Sequence, residues 1–310
     1  FPRVHERLVT GLWPRLQDAL LAGALRRRLA QRLAQTPFPP PHKVEIEIFN
    51  RCNNDCPFCP VNSTLDTRKA VRMTDELFES ILKQLAEMGF EGRLALHSNN
   101  EPLLDRRIER FARTARDRLP RALIYLQTNG ILLTVERFAE LMRSLDRIVI
   151  NNYADDLRMI PPVEAVWRYC REHESVRNRV TIHLKRKHII RSNRAGTAPN
   201  AAGLSRPMRS PCLRPFFEMI IRPDGKVSLC CFDARGATTV GDAVKSPIRE
   251  IWQGEMLMKI RRQMVADRSG IALCKPCDEV IIGEHLFVVE RHGTLRNLGR
   301  LAKTILSPTF

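Results

Sequence analysis

Long hydrophobic runs are missing from this 310-residue sequence, although 44% of its residues are hydrophobic. No segment of about 20 residues is apolar enough to cross a bilayer, and no apolar core of a secretory signal is recognisable. The nine cysteines are therefore expected to be reduced in a cytoplasmic setting, as metal ligands instead of disulfide partners. The length fits one main domain with a small second one.

Acidic and aromatic residues are also scarce. The chain has 34 acidic against 51 basic side chains, a formal charge of +17, and only 6% aromatic residues. The basic residues are not interleaved with aromatic side chains that stack on bases, so nucleic-acid binding is not expected. The charge favours an anionic small-molecule substrate as a hypothesis. Residues 8–35 and 295–306 have the pattern of basic amphipathic helices, which are expected to cover a domain end, with peripheral membrane contact as the alternative.

Three cysteines stand close together: Cys52, Cys56 and Cys59, with Phe58 just before the third. Three thiolates on one loop can hold three irons of a [4Fe-4S] cluster and leave the fourth iron without a protein ligand. This spacing, with an alternating strand before it, resembles the radical S-adenosylmethionine (radical SAM) superfamily. A zinc site is the alternative, but an isolated run of three cysteines needs a distant fourth ligand.

The resemblance implies a chemistry and its partners. S-adenosylmethionine is expected to chelate the open iron, and one electron from the cluster is expected to cleave it. The resulting 5′-deoxyadenosyl radical takes a hydrogen atom from the substrate. A reducing protein of the flavodoxin or ferredoxin type is the implied electron donor.

Hydrophobic periodicity predicts alternating strands and helices from Val44 onward. Val44, Ile46 and Ile48 alternate with glutamates, as in a strand that delivers the cysteine loop at its carboxyl end. A helix capped by Thr74 follows, and repeated βα units indicate an α/β fold with a parallel sheet. The resemblance implies a partial (βα)6 radical SAM barrel. The later predicted strands are 93–97, 122–127, 147–151 and 180–185, and the helices are 105–119, 134–145 and 161–171.

Polar residues after these strands are candidates for S-adenosylmethionine contacts, because ligands of parallel sheets bind at the carboxyl ends of strands. The segment 98–102 stands where the family has Gly-Gly-Glu-Pro, which implies that Glu101 accepts a hydrogen bond from the cofactor's amino group. The segment 127–130 resembles a Thr-Asn-Gly segment near the adenosine. Turn formation explains each segment without a ligand. The candidate set is Phe58, Asn99, Asn100, Glu101, Thr128, Asn129, Asn151 for the ribose, and Ser192 and Arg194 for the carboxylate.

Four more cysteines follow the barrel: Cys212, Cys230, Cys274 and Cys277. Their pattern resembles the C-terminal SPASM extension of radical SAM enzymes, or its shortened "twitch" form. The resemblance implies an auxiliary [4Fe-4S] cluster with a thiolate on every iron, closed to S-adenosylmethionine. A structural zinc is the alternative. The spacing most resembles the enzymes that oxidise 2-deoxy-scyllo-inosamine or act on related sugars and cyclitols.

Two cysteines remain, Cys170 and Cys231. Cys170 is expected to be a small buried hydrophobe. Cys231 follows Cys230 on a predicted strand over 227–232, so the two side chains should point to opposite faces. Cys231 is then a candidate catalytic residue that returns a hydrogen atom to the substrate radical, as in radical SAM epimerases. An inert thiol, or ligation by Cys231 in place of Cys230, is the alternative.

The predicted function is epimerisation of a sugar or aminocyclitol carbon that bears oxygen or nitrogen. Dehydrogenation of the same type of carbon, with the electron passing to the auxiliary cluster, is the alternative, and maturation of a ribosomal peptide is a third reading. A zinc-binding scaffold protein is the hypothesis from a different class. The predicted organisation is a basic extension (1–42), the barrel (43–205), the SPASM or twitch domain (206–285) and an amphipathic tail (286–310).

Overall fold

The computed structural model describes residues 13–189, 192–201, 203–204 and 206–279. Strands and helices alternate in its first part, as the hydrophobic pattern predicts. The strands are β1 (Lys43–Ile46), β2 (Arg93–Ala95), β3 (Leu123–Thr128), β4 (Arg147–Tyr153) and β5 (Val180–Lys185). The helices are α1 (Trp13–Leu33), α2 (Asp75–Glu87), α3 (Ile108–Arg118), α4 (Val135–Met142), α5 (Pro161–Glu172) and α6 (Glu174–Arg177), and a 3-10 turn, Pro102–Leu104, follows β2.

The second part of the chain extends the same sheet. It contains α7 (Arg214–Phe217), β6 (Glu218–Ile221), β7 (Lys226–Ser228), β8 (Thr239–Asp242), α8 (Ile248–Gln253), α9 (Glu255–Ala266) and the 3-10 turn Arg268–Gly270. Strands β1 to β5 are parallel neighbours, β6 pairs in parallel with β1, and β7 and β8 add antiparallel pairs. The order in the eight-stranded sheet is β5-β4-β3-β2-β1-β6-β7-β8. The predicted α/β class is confirmed, and its sixth parallel strand lies beyond residue 205.

One face of the parallel strands carries the core. Val44 is in register with Leu94, and Leu94 with Ile124, and all three are fully buried in one cluster with helix residues such as Phe78. Burying a side chain of this size contributes about 1.5–3 kcal/mol. Alternate residues of a strand point to the other face, so the same strands turn a second set of side chains toward the inside of the barrel.

Helix α2 begins at a cap, as predicted. The Thr74 hydroxyl accepts a hydrogen bond from the amide of Leu77 at 3.2 Å, and Asp75 and Glu76 lie in the first turn, where negative charge stabilises a helix. Phe78 stacks on Phe111 of α3 with 4.2 Å between ring centroids. The cap at Thr74 sets where the cysteine loop ends, and the ring stacking packs α2 against α3.

The first predicted amphipathic helix is present as α1 and packs on the second part of the chain, against α9. Leu25 and Leu29 are buried in the core. The Asp18 carboxylate accepts hydrogen bonds from the amides of Arg209 and Ser210, each at 2.6 Å. The helix therefore covers protein, and no helix in the described ranges is long and apolar enough to span a membrane. The second predicted amphipathic helix, 295–306, lies outside the described residues.

Candidate active site

The first three cysteines lie on the loop between β1 and α2, and the two ends of this loop are tied together. The amide of Met73 donates to the carbonyl of Ile48 at 2.8 Å, and the Asn50 side chain accepts from the amide of Val71 at 2.9 Å. Cys56 and Cys59 share a turn in which the Cys59 amide donates to the Cys56 carbonyl at 3.0 Å. The cysteine loop therefore leaves the sheet at the carboxyl end of β1, as predicted, and hydrogen bonds join its two ends.

The loop is also fastened to the second part of the chain. Arg68 pairs with Asp66 at 2.8 Å and donates to the carbonyl of Ala234 at 2.8 Å. Arg235 returns a hydrogen bond to the carbonyl of Pro60 at 3.1 Å. These contacts hold the first cysteine loop against the segment that follows Cys231.

Glu101 and the Thr128-Asn129 segment meet beside this loop. The Glu101 carboxylate accepts hydrogen bonds from Thr128 Oγ1 (2.7 Å), the amide of Asn129 (2.7 Å) and the amide of Leu103 (3.0 Å). Burial raises the pKa of Glu101 to about 6, against the effect of these donors. Three of about four acceptor positions are thus used within the protein. Glu101 positions the two strand ends, and its contact with the amino group of S-adenosylmethionine stays a prediction.

Asn129 reaches from that segment to the cysteine loop. Its Nδ2 donates to Asn53 Oδ1 at 2.8 Å and lies 4.0 Å from Cys52 Sγ. A hydrogen bond to a ligand sulfur is a recognised means of tuning an iron–sulfur cluster. The sequence predicts that Asn129 lies near the adenosine, which stays a prediction, and it does not predict this contact with the cysteine loop.

Asn99, Arg194 and Cys231 form a second group on the inner face. Asn99 Nδ2 donates to the carbonyl of Cys231 at 2.9 Å, and the Arg194 guanidinium donates to Asn99 Oδ1. The neighbouring Asn100 accepts from the amide of Ser98 at 2.9 Å, while its Nδ2 is buried without a hydrogen-bond partner. Buried polar groups are rarely left unpaired, so this donor is consistent with a bound ligand.

The remaining candidates lie at or beyond the carboxyl ends of β4 and β5, or pack on them. Phe58 packs on Tyr153 at the end of β4, with 5.3 Å between ring centroids. Asn151 accepts from Lys185 Nζ at 2.9 Å, whereas its neighbour Asn152 faces away and bonds to the loop at Arg158 and Ile160. Ser192 is half-buried at the start of the loop that carries Arg194.

The inner face of the sheet also holds a charged group that was not predicted, here called the polar layer: Lys43, Glu45, Ser98 and Glu218. Lys43 Nζ lies 2.6 Å from Glu45 and 3.5 Å from Glu218, and Ser98 donates to Glu45 at 2.6 Å. Burial alone would raise the pKa of Glu45, but the Lys43 ammonium and other neighbours lower it to about 2. Alternating charges at 43, 45 and 47, opposite an apolar face, are the signal that could have revealed this layer.

Two further inner groups are neutral near pH 7. Burial raises the pKa of Glu47 to about 8, although Arg68 acts against the shift. Burial lowers the pKa of His97 to about 4, and its Nδ1 accepts from the amide of Gln127 at 3.1 Å. The barrel interior thus offers neutral donors beside an ionised carboxylate.

Cys231 borders the polar layer. Its sulfur and one carboxylate oxygen each of Glu45 and Glu218 lie within 4.8 Å of one another. Lys43 and Arg214 already neutralise these carboxylates, so a cation is not required there. The predicted strand over 227–232 is wrong beyond Ser228, because the amide of Asp233 donates to the carbonyl of Cys230 at 3.0 Å and forms a turn.

The four later cysteines converge on one cavity. Cys212, Cys230, Cys274 and Cys277 line it together with Arg214 and Arg268, and Cys231 is not in its wall. The turn at Cys274 to Cys277 is held by Asn193, which donates to the carbonyl of Pro276 at 2.6 Å. Cys170 lies apart, buried in the core as predicted. Cys230 therefore faces the cavity and Cys231 the barrel.

The donor sets of both cysteine groups fit iron–sulfur clusters. A single zinc ion with Zn–S bonds of about 2.3 Å brings its sulfurs to about 3.8 Å from one another. In the part of the chain that the structure describes, no three cysteine sulfurs lie within 4.8 Å of one another. An all-sulfur set spread more widely suits a polynuclear centre, with three ligands at the first group and four at the second.

Two family models match the chain. The model of the radical SAM superfamily matches residues 46–178, and the SPASM model, an iron-sulfur cluster-binding domain, matches residues 212–278. The chain is 25% identical over 241 residues to the S-adenosyl-L-methionine-dependent 2-deoxy-scyllo-inosamine dehydrogenase of Niallia circulans, covering 77% of this chain and 93% of that protein.

Solved structures show the same fold. The crystal structure of BtrN in complex with AdoMet and 2-DOIA aligns with a TM-score of 0.69 and 24% identity, over 78% of this chain and 94% of that one. The open conformation of selenomethionine BtrN aligns with a TM-score of 0.58 and 21% identity, over the same shares of the two chains. The chain therefore contains a radical SAM domain, which implies an S-adenosylmethionine-binding [4Fe-4S] centre, and a C-terminal SPASM domain, which implies an auxiliary iron–sulfur cluster.

Proposed function

We propose that this enzyme is a radical SAM dehydrogenase that oxidises a hydroxyl- or amine-bearing carbon of an aminocyclitol or sugar-type molecule. The observation that carries the proposal is the shared wall between the four-cysteine cavity and the barrel interior. Arg214 lines the cavity and also pairs with Glu218 of the polar layer at 2.9 and 3.1 Å. An electron acceptor in the cavity would therefore lie directly behind the substrate space. Similarity to a named dehydrogenase over 93% of its length supports the same reaction class.

The site residues divide by role in this proposal. When bound, the first cluster and S-adenosylmethionine would supply the radical that abstracts a hydrogen atom, and the auxiliary cluster would accept one electron. Cys52, Cys56 and Cys59 hold the first centre, and Cys212, Cys230, Cys274 and Cys277 hold the second. The cofactor contacts are Phe58, Asn99, Asn100, Glu101, Thr128, Asn129, Asn151, Ser192 and Arg194.

The polar layer fits a ring that carries hydroxyl or amino groups. Oxidation of a carbinol removes a hydrogen atom, an electron and a proton, and the proton needs an acceptor from the chain. Glu45 is an ionised carboxylate on the inner face, and Lys43 and Ser98 are donors beside it. Paired donors and acceptors of this kind recognise polar rings by hydrogen bonds. The partners are then a small-molecule substrate and a flavodoxin- or ferredoxin-type reductant, in a reducing cytoplasm.

Epimerisation is the second candidate, and the position of Cys231 favours it. Its sulfur is directed to the polar layer and not to the four-cysteine cavity. A thiol beside the substrate can return a hydrogen atom, which would leave an isomer instead of a ketone. The two reactions differ in what happens after the same first abstraction.

The deciding experiment is turnover of the reconstituted enzyme in deuterated buffer, with 2-deoxy-scyllo-inosamine and related aminocyclitols and sugars. Dehydrogenation predicts an oxidised product that forms in step with 5′-deoxyadenosine in the wild type and in Cys231→Ala. Cys170→Ala is the matched control, since Cys170 is a buried thiol in the core, away from the barrel interior.

Deuterium in an isomeric product, lost in Cys231→Ala while 5′-deoxyadenosine still forms, would establish epimerisation instead. Zinc in both cysteine groups, with no cleavage of S-adenosylmethionine, would contradict both reactions. The formal charge of +17 favours an anionic substrate. Loss of turnover when an anionic group is removed from the substrate would support that hypothesis.

A further inference from the structure

Two buried arginines form part of the wall around the four-cysteine cavity. Arg214 is 4% exposed and Arg268 is 2% exposed, and both line the cavity beside the cysteines. Arginine is seldom buried to this degree without a partner of opposite charge. Each of the two guanidinium groups therefore requires a negative charge close to it.

The two arginines differ in their partners. Arg214 makes an ion pair with Glu218 at 2.9 Å. Arg268 donates to the carbonyls of Glu279 and Cys277, at 2.8 and 3.2 Å, and forms no ion pair with a carboxylate among residues 13–189, 192–201, 203–204 and 206–279. In both guanidinium groups the Nε donor is buried without a hydrogen-bond partner.

Desolvating a guanidinium group costs several kcal/mol unless an opposite charge and hydrogen bonds compensate. The cavity supplies that charge when four thiolates and their irons fill it, because such an assembly is net negative. Reduction adds a further negative charge within the same walls. A fixed cation in a low-dielectric wall then stabilises the reduced form more than the oxidised form.

We infer that Arg268, assisted by Arg214, raises the reduction potential of the auxiliary cluster and so makes the four-cysteine cavity a better electron acceptor. The inference rests on the proposed dehydrogenase function and its auxiliary cluster. Both arginines are positioning residues in this role, because they act through the cluster and not on the substrate.

The test measures the midpoint potential of the auxiliary cluster by anaerobic redox titration followed by electron paramagnetic resonance. The starting protein is the full chain with Cys52, Cys56 and Cys59 replaced by Ala, so that only the second group binds iron. Arg268→Gln is expected to lower the reduction equilibrium constant at least tenfold, about 59 mV for one electron. Arg268→Lys keeps the positive charge, so its midpoint potential is expected to lie closer to that of the starting protein than to that of Arg268→Gln.

Arg261→Gln is the matched control. Arg261 is also fully buried, but it packs between Phe38 and Trp252 and lies outside the cavity wall. Its substitution is expected to disturb packing without moving the potential. An unchanged potential in Arg268→Gln, with the cluster intact, would overturn the inference while leaving the auxiliary cluster established.

A second comparison applies if Arg268→Gln loses its cluster. Arg214→Gln removes a positive charge and is expected to lower the potential, whereas Arg214→Gln with Glu218→Gln removes a neutral pair and is expected to lower it less. Equal potentials in these two variants and the starting protein would overturn the inference. A starting protein that binds no iron would remove its basis, and it would show that the auxiliary cluster itself had been wrongly proposed.

Discussion

The two cysteine groups are assembled in opposite ways. The first three cysteines lie within one loop, and their neighbours are amides and a carboxylate from adjacent strand ends. The last four come from three separate segments of the chain, and guanidinium groups line the cavity between them. A local loop leaves one side open to a ligand, whereas convergence from several segments encloses the centre. In the proposed reaction, the first group is the binding centre and the second group is the electron acceptor.

The largest expected effect comes from removing a ligand of the open group. Cys59→Ala is expected to reduce S-adenosylmethionine cleavage to background, because two thiolates cannot hold the centre that binds the cofactor. The measurement is 5′-deoxyadenosine formation together with iron content. Iron at the second group should persist. Full cleavage activity in this variant would contradict the assignment of S-adenosylmethionine binding to the first group.

Removing a ligand of the enclosed group is expected to uncouple the reaction. Cys277→Ala should lose iron from the cavity but still form 5′-deoxyadenosine, while formation of the oxidised product falls to background. Quantifying both products in one assay tests this. Unchanged oxidation would show that the second group is structural and not an electron acceptor.

Glu47 is buried beside Arg68, and its expected effect is on stability. Its pKa is raised from 4.5 to about 8 by burial, so the folded protein holds the proton more tightly than the unfolded chain does. The stabilisation is full at low pH and is lost as pH rises through about 8. Glu47→Gln keeps the neutral form, and its advantage over the wild type should grow by about 4 kcal/mol from near pH 5 to near pH 9. Denaturant unfolding at both pH values measures this.

Glu45→Gln is the matched comparison, because the pKa of Glu45 is lowered and not raised. Its ionised form is stabilising above the unfolded pKa, and that contribution is lost as pH falls. The variant should therefore be less stable than the wild type near pH 7. Parallel pH profiles for the two variants would contradict the assigned charges.

The smallest expected effect is at Asn129, which contacts the first loop without being a ligand. Asn129→Ala removes the donor near Cys52 and is expected to slow S-adenosylmethionine cleavage by about 10- to 100-fold, with iron retained. Asn152→Ala is the control, since Asn152 is buried but faces away from the site. Its expected effect is on stability alone. Equal rates in the two variants would show that the sulfur contact is unimportant.

The sequence predicts the first group better than the second for a physical reason. Local spacing and strand periodicity determine where Cys52, Cys56 and Cys59 lie, and the predicted alternation from Val44 is confirmed. Convergence of Cys212, Cys230 and the Cys274–Cys277 pair depends on tertiary packing, so only the resemblance indicated it. The polar layer was missed because its members come from β1, β6 and the segment after β2, which only the pairing of distant strands brings together. The strand predicted through Cys231 failed because the turn at Asp233 overrides local β-propensity.

The pairing of β6 with β1 has a consequence for how the chain is made. Lys43 and Glu218, which this pairing brings into register, are 175 residues apart. During synthesis β1 keeps one bare edge until the ribosome has passed β6, although its cysteine loop is complete much earlier. An unpaired edge is a template for another chain, and late closure prolongs that exposure. A product that stops short of Glu218 is therefore expected to self-associate, so translation has to run to the last third of the chain before the first strand is protected.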